Sequence, residues 1–165
     1  MNIVNYEPVD VLNGPGTRVS LFVAGCRFRC KGCFNAMAQS HTAGVQFTDD
    51  MAEQIIRDLQ DTRIRRRGLS LLGGDPLFER NIEALTALVQ RVRREVPAAD
   101  IWLWTGEVYE ALTPKQRALV SLVDVVVDGQ FEQGKRSHKL AWRGSSNQRV
   151  IDVARSLSVT QLWQA

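Results

Sequence analysis

A chain of 165 residues that is 44% hydrophobic and 24% charged is long enough to bury a core without disulfide staples. Its 21 basic and 18 acidic residues leave a net charge of +3 with the two signs interspersed, which argues against direct nucleic-acid binding. No apolar run reaches the length of a bilayer span, and Asn2, Asn5, Glu7 and Asp10 stand where a secretory leader would be basic and then apolar, so a soluble, cytoplasmic protein without membrane contact is expected.

In chain order, Arg18 to Val23 is short, β-prone and largely apolar, which predicts a strand, and Ala24-Gly25 turns directly into Cys26, Cys30 and Cys33. Thr48 suits an N-cap with Asp49 and Asp50 in the first turn, and Met51, Ile55, Ile56 and Leu59 give an amphipathic helix. The run Arg63 to Arg67 that follows reads as a solvated loop. Gly68 to Leu72 predicts a second strand, ended by Gly73-Gly74-Asp75-Pro76. A helix from about Asn81 to Val96 presents Ile82, Leu85, Leu88, Val89 and Val92 on one face and stops at Pro97. Ile101 to Trp104 is a third strand closed by Thr105-Gly106. Pro114 opens another helix, and Val123 to Val127 is a fourth strand closed by Asp128-Gly129.

Alternating strands and helices predict an α/β fold with a mainly parallel sheet. Four or five such units are too few for a closed barrel, so the expected architecture is an open, partial (βα) barrel formed by one domain over 1–165, with its core at about 18–152 and a tail at 153–165 of unassigned role. In that tail Leu157, Val159, Leu162 and Trp163 follow no clear period. Parallel strands end on one edge, so the cysteine loop, Gly73-Gly74-Asp75, Thr105-Gly106 and Asp128-Gly129 are expected to meet there.

The three cysteines fall within eight residues of one another, an odd number at a spacing that suits metal ligation better than disulfides. Three thiolates would bind a 4Fe-4S cluster and leave its fourth iron open for a ligand. The alternative is zinc in a Cys3His site completed by His41 or His138, which would make a zinc-containing nucleic-acid-binding module; its spacing matches no common finger and leaves the glycine turn without a role. Trp102, Trp104 and Trp142 read as core or wall residues, and Arg143 as a group able to meet a carboxylate.

The C-x3-C-x2-C loop after the first strand, followed one unit later by Gly73-Gly74-Asp75, resembles the radical S-adenosylmethionine enzymes. Asn13-Gly14-Pro15-Gly16-Thr17-Arg18, Phe34-Asn35, Trp102-Leu103-Trp104-Thr105-Gly106, Val127-Asp128-Gly129 and Arg143-Gly144-Ser145-Ser146-Asn147 extend the resemblance, from Tyr6 to Asn147, to the glycyl-radical activases that serve anaerobic ribonucleoside-triphosphate reductase. Leu72 and Lys31 depart from that pattern, where serine and proline would be expected.

The resemblance implies S-adenosylmethionine chelated to the open iron and contacted by Gly73, Gly74 and Asp75, with Asn35 near the cluster and Thr105 and Asp128 lining the cleft. It also implies reductive cleavage of that cofactor, with electrons from a donor such as flavodoxin, and a glycyl radical formed on the large subunit of the reductase. An activator of pyruvate formate-lyase is the nearest alternative within the class; those activators usually run longer.

Overall fold

A computed structural model describes residues 1–156 and 161–164. Its strands are β1 (Asn2–Asp10), β2 (Arg18–Val23), β3 (Val45–Gln46), β4 (Gly68–Gly73), β5 (Asp100–Trp104), β6 (Val125–Asp128), β7 (Arg149–Asp152) and β8 (Gln161–Leu162). Its α-helices are α1 (Asp49–Gln60), α2 (Glu79–Glu95) and α3 (Pro114–Val120). Local chemistry sets the helix starts. Thr48 accepts the Met51 N–H ahead of α1, and Thr113 and Gln116 form a reciprocal capping box around Pro114 at the start of α3.

All eight strands join one sheet in the order β3-β1-β2-β4-β5-β6-β7-β8. Among the described residues only β2, β4, β5 and β6 run parallel; β1, β3, β7 and β8 pair antiparallel at the two flanks. The expected mainly parallel sheet is therefore corrected to a mixed one. A parallel neighbour needs a long crossover, which α1, α2 and α3 supply between the central strands. Residues 11–17 are too short a link for that, and residues 129–148 contain only the 3-10 turn Gln133–Lys135, so β2 and β7 each return antiparallel to the strand before.

The two faces of the sheet differ sharply. Val19, Leu21, Leu69, Leu71, Ile101, Leu103 and Val126 pack with Ile55, Leu85, Leu88, Val92 and Leu119 of the helices into the main core. The opposite face carries Arg18, Ser20, Ser70, Trp102, Val125 and Val127, without helices. Arg18 is fully buried at the N-terminal end of the parallel strands, donating to Ser70 Oγ at 2.7 Å and pairing with Asp100. Trp163 from the tail packs edge-on against Trp102, ring centroids 5.0 Å apart, while Leu162 is exposed; Leu157 and Val159 lie outside the described residues.

The arginine run is not a uniformly solvated loop. Arg63 pairs with Asp61 and Arg67 with Asp100 at the surface, whereas Arg66 is buried and donates to the carbonyls of Pro8 and Ile64 at 2.7 and 3.0 Å. It bolts the start of β4 to β1, a strand whose polar sequence gave no sign of it.

Candidate active site

The site is built on the C-terminal ends of the parallel strands. β2 runs into Ala24-Gly25, where the Gly25 N–H donates to the Ala38 carbonyl (2.7 Å) and the Cys26 N–H to the Gln39 carbonyl (3.1 Å), closing the cysteine segment into a loop. Within it the Cys33 N–H donates to the Cys30 carbonyl at 3.2 Å. β4 ends one strand away in the glycine turn, which is tied to the root of that loop: the Gly74 N–H donates to Val23 O at 2.7 Å and the Asp75 N–H to Gly25 O at 2.8 Å.

Both glycines of the turn are required by close backbone approach. Gly73 has φ of 109°, and a Cβ there would lie 2.7 Å from the backbone N and O of Val23. A Cβ at Gly74 would lie 2.5 Å from the Gly25 carbonyl oxygen and 2.7 Å from that of Ala38. The missing side chain of Gly74 thus makes room for the cysteine loop, and the turn offers bare backbone to the cavity beside it.

That cavity, of about 680 Å³, is lined by Cys26, Cys30, Cys33, Asn35, Gly73, Gly74 and Thr105 together with Gly106 and Gly129. Seven of the nine residues expected at the site therefore share one wall. Asp75 and Asp128 do not line it. Asp75 is buried and accepts from the Leu77 N–H (2.8 Å), Thr105 Oγ1 (2.9 Å) and the Gly106 N–H (3.1 Å). Burial pushes its carboxyl up to about 6 against the pull of those donors. Asp75 fastens the glycine turn to the end of β5. Asp128 is likewise buried, accepting from the Tyr109 N–H (2.9 Å) and from Arg149, whose guanidinium also reaches Glu110. These hydrogen bonds hold the Arg149 charge well above its ordinary pKa.

Further residues complete the site, among them Asn81 and Gln148, for which the sequence offered no role there. Asn81, read only as the start of a helix, is buried and its amide donates to Ala24 O at 2.9 Å and Asp75 O at 3.0 Å, clamping the cysteine strand to the glycine turn. Gln148 organises the far wall, donating to Gly129 O at 2.9 Å and accepting from the N–H groups of Gly144 and Ser145. Trp104, Phe131, Leu140 and Trp142 make that wall apolar, with Trp104 Nε1 donating to Trp142 O at 2.7 Å. Arg136, His138 and Arg143 also line the cavity, and among the described residues no acidic one lines it. Arg143 is braced by a 2.7 Å hydrogen bond to Gln148 O.

The donor set fits an iron–sulfur cluster. Three thiols of soft ligand character meet at one cavity, and a cluster places each thiolate on a separate iron. Burial pushes the Cys26 thiol up to about 11, so a metal would bind there by displacing the proton. His41, one candidate for completing a Cys3His zinc site, does not line the cavity and stacks on Phe78 with centroids 6.5 Å apart. The cavity's volume falls in the range of small-molecule sites, and an apolar wall with a few polar groups is the usual make-up of such a site.

Residues 12–151 match the 4Fe-4S single cluster domain family. Among curated proteins the chain is similar to the anaerobic ribonucleoside-triphosphate reductase-activating proteins of Haemophilus influenzae and Vibrio cholerae, each 53% identical over 148 residues covering 90% of this chain and 96% of the relative. That of Escherichia coli is 51% identical over 150 residues, 91% of this chain and 97% of the relative.

Proposed function

Because this chain belongs to the family of anaerobic ribonucleoside-triphosphate reductase-activating proteins, we propose that it is a radical S-adenosylmethionine activase that generates a glycyl radical on the large subunit of that reductase. The observation that carries this reading is the meeting of three cysteines and a bare glycine turn on one cavity. The whole chain acts as one cytoplasmic domain in this reading, its four parallel strands serving as a partial radical-enzyme barrel. A small redox protein such as flavodoxin is the electron donor.

Cys26, Cys30 and Cys33 hold three irons of the cluster, and with no other cysteine in the chain the fourth is left to the cofactor. When bound and reduced, the cluster held by these cysteines would supply the electron for reductive cleavage of S-adenosylmethionine. Gly73 and Gly74 would offer backbone carbonyls to the cofactor's ammonium, and Arg143, with Asn35, would hold its carboxylate end. Asp75 acts at one remove, fixing Thr105 and the glycine turn against each other; Asp128 does the same for the segment after β5 and the start of β7. The aromatic wall shelters the adenosyl group and excludes water.

The test is anaerobic reconstitution with iron and sulfide, reduction, and chromatographic assay for 5'-deoxyadenosine. Wild type is expected to hold about four irons per chain and to form 5'-deoxyadenosine, and Cys30→Ala to do neither. A wild-type chain that takes up one zinc and no iron would sink the reading.

A further inference from the structure

The tail reaches the back of the cavity's aromatic wall. All four tryptophans of the chain meet on the sheet face that carries no helix. Trp102, 1% exposed, is common to their contacts, with ring centroids 5.7 Å from Trp104, 6.1 Å from Trp142 and 5.0 Å from Trp163. Trp104 and Trp142 line the cavity, whereas Trp102 and Trp163 do not. The backbone fixes Trp163 in place. β8 pairs antiparallel with β7, the Trp163 N–H donates to Val150 O at 2.8 Å, and the Gln161 N–H donates to Oγ of the buried Ser156 at 2.8 Å. Trp142 depends on this packing. Its φ is 62°, a left-handed backbone that bulky residues rarely adopt and keep only where the surroundings impose it. Its ring packs edge-on against Trp102, and its carbonyl accepts the Trp104 Nε1–H at 2.7 Å.

We propose that Trp163 is a positioning residue of the cavity: it packs Trp102, which in turn holds Trp104 and Trp142 in the arrangement that receives the cofactor. The inference rests on the functional reading above and gives the tail a part in it. Without the Trp163 ring, Trp102 has open space beside it on a face with no helix to fill the gap, and the two cavity-lining indoles lose their common support. A loosened wall must be ordered when the cofactor binds, and the cost of that ordering is subtracted from the affinity. The cysteine loop stays in place, because the carbonyls of Ala38 and Gln39 and the glycine turn hold it through separate hydrogen bonds.

The experiment is anaerobic equilibrium dialysis of S-adenosylmethionine against the cluster-loaded wild type and the variants Trp163→Ala, Trp163→Phe and, as a control, Leu162→Ala, whose side chain is exposed in the same strand. Iron content and kcat for 5'-deoxyadenosine formation at saturating cofactor are measured in parallel. Trp163→Ala is expected to raise Kd about fivefold or more, with iron content and kcat unchanged. Trp163→Phe keeps an aromatic ring on Trp102 and should restore most of the affinity. The control should stay within about twofold of wild type. A Kd for Trp163→Ala within about twofold of wild type would overturn the proposal. So would an equal loss in Leu162→Ala, which would make β8 rather than the ring responsible, or a loss of iron in Trp163→Ala, which would put the effect at the cysteine loop. Wild-type protein that binds the cofactor in this Trp163-dependent way yet forms no 5'-deoxyadenosine would instead contradict the functional reading and leave the positioning role standing. A wild type that binds no cofactor would contradict both.

Discussion

At the scale of single residues, Gly74 and Asp75 act by packing and bridging. A methyl group at Gly74 would fall 2.5 Å from the Gly25 carbonyl oxygen, and backbone cannot give way as a flexible side chain can. Gly74→Ala is therefore predicted to lower stability by about 1–3 kcal/mol and to reduce iron uptake by displacing the cysteine loop. Thermal unfolding and iron analysis after reconstitution check it; normal iron content with weakened cofactor binding would mean that the turn acts on the cofactor alone. Asp75 predicts a pH dependence. Its folded-state pKa is raised to about 6 by burial, so the folded chain holds this proton more tightly than the unfolded chain does. The resulting stability is complete below the ordinary carboxylate range and is lost as pH rises through about 6, a change on the order of 3 kcal/mol. Asp75→Asn removes the titration, and urea unfolding of the cluster-free chain between pH 4 and 7 should show that slope in wild type and a flatter profile in the variant.

At the scale of elements, the central strands and helices were readable because their residues obey simple periods. Val19 and Leu21 alternate with Ser20, and Thr48 and Thr113 cap the helices that the apolar spacing predicts. β1 was not readable, for a physical reason: only Ile3 and Asp10 of its nine residues are buried, and Pro8 falls in the irregularity between Glu7 and Asp10. β7 and β8 are short, and β7 reaches its partner β6 through residues 129–148, which hold no α-helix. The site followed the same division. Strand-end motifs placed the cysteines, the glycine turn and Thr105 together, but which carboxylates face the cavity and which are buried behind it depends on tertiary contacts such as Asp75 to Gly106 and Asp128 to Arg149. Arg18 joins β2, β4 and β5 through Ser70 Oγ, Leu69 O and Asp100. Arg18→Met is predicted to destabilise the chain by about 3 kcal/mol, at the low end for a broken buried pair because Asp100 is 23% exposed and keeps Arg67. A urea midpoint within error of wild type would show that the unhelical face needs no such plug.

At the scale of the whole molecule, one sheet divides two tasks. Its helical face holds the core; its other face, closed by Arg18 at one end and open at the cysteines at the other, holds the cavity. Among the described residues no helix is long and apolar enough to cross a membrane. The central claim is that a hydrogen atom passes from a reductase glycine to the cofactor fragment produced in this cavity. It is tested most directly by incubating the reduced protein and S-adenosylmethionine with reductase deuterated at glycine α-carbons, then determining deuterium in 5'-deoxyadenosine by mass spectrometry. Deuterium in that product, with a radical on the reductase whose paramagnetic resonance doublet collapses relative to the protonated sample, is the predicted result. 5'-Deoxyadenosine without deuterium, or a reductase without a radical, would contradict it.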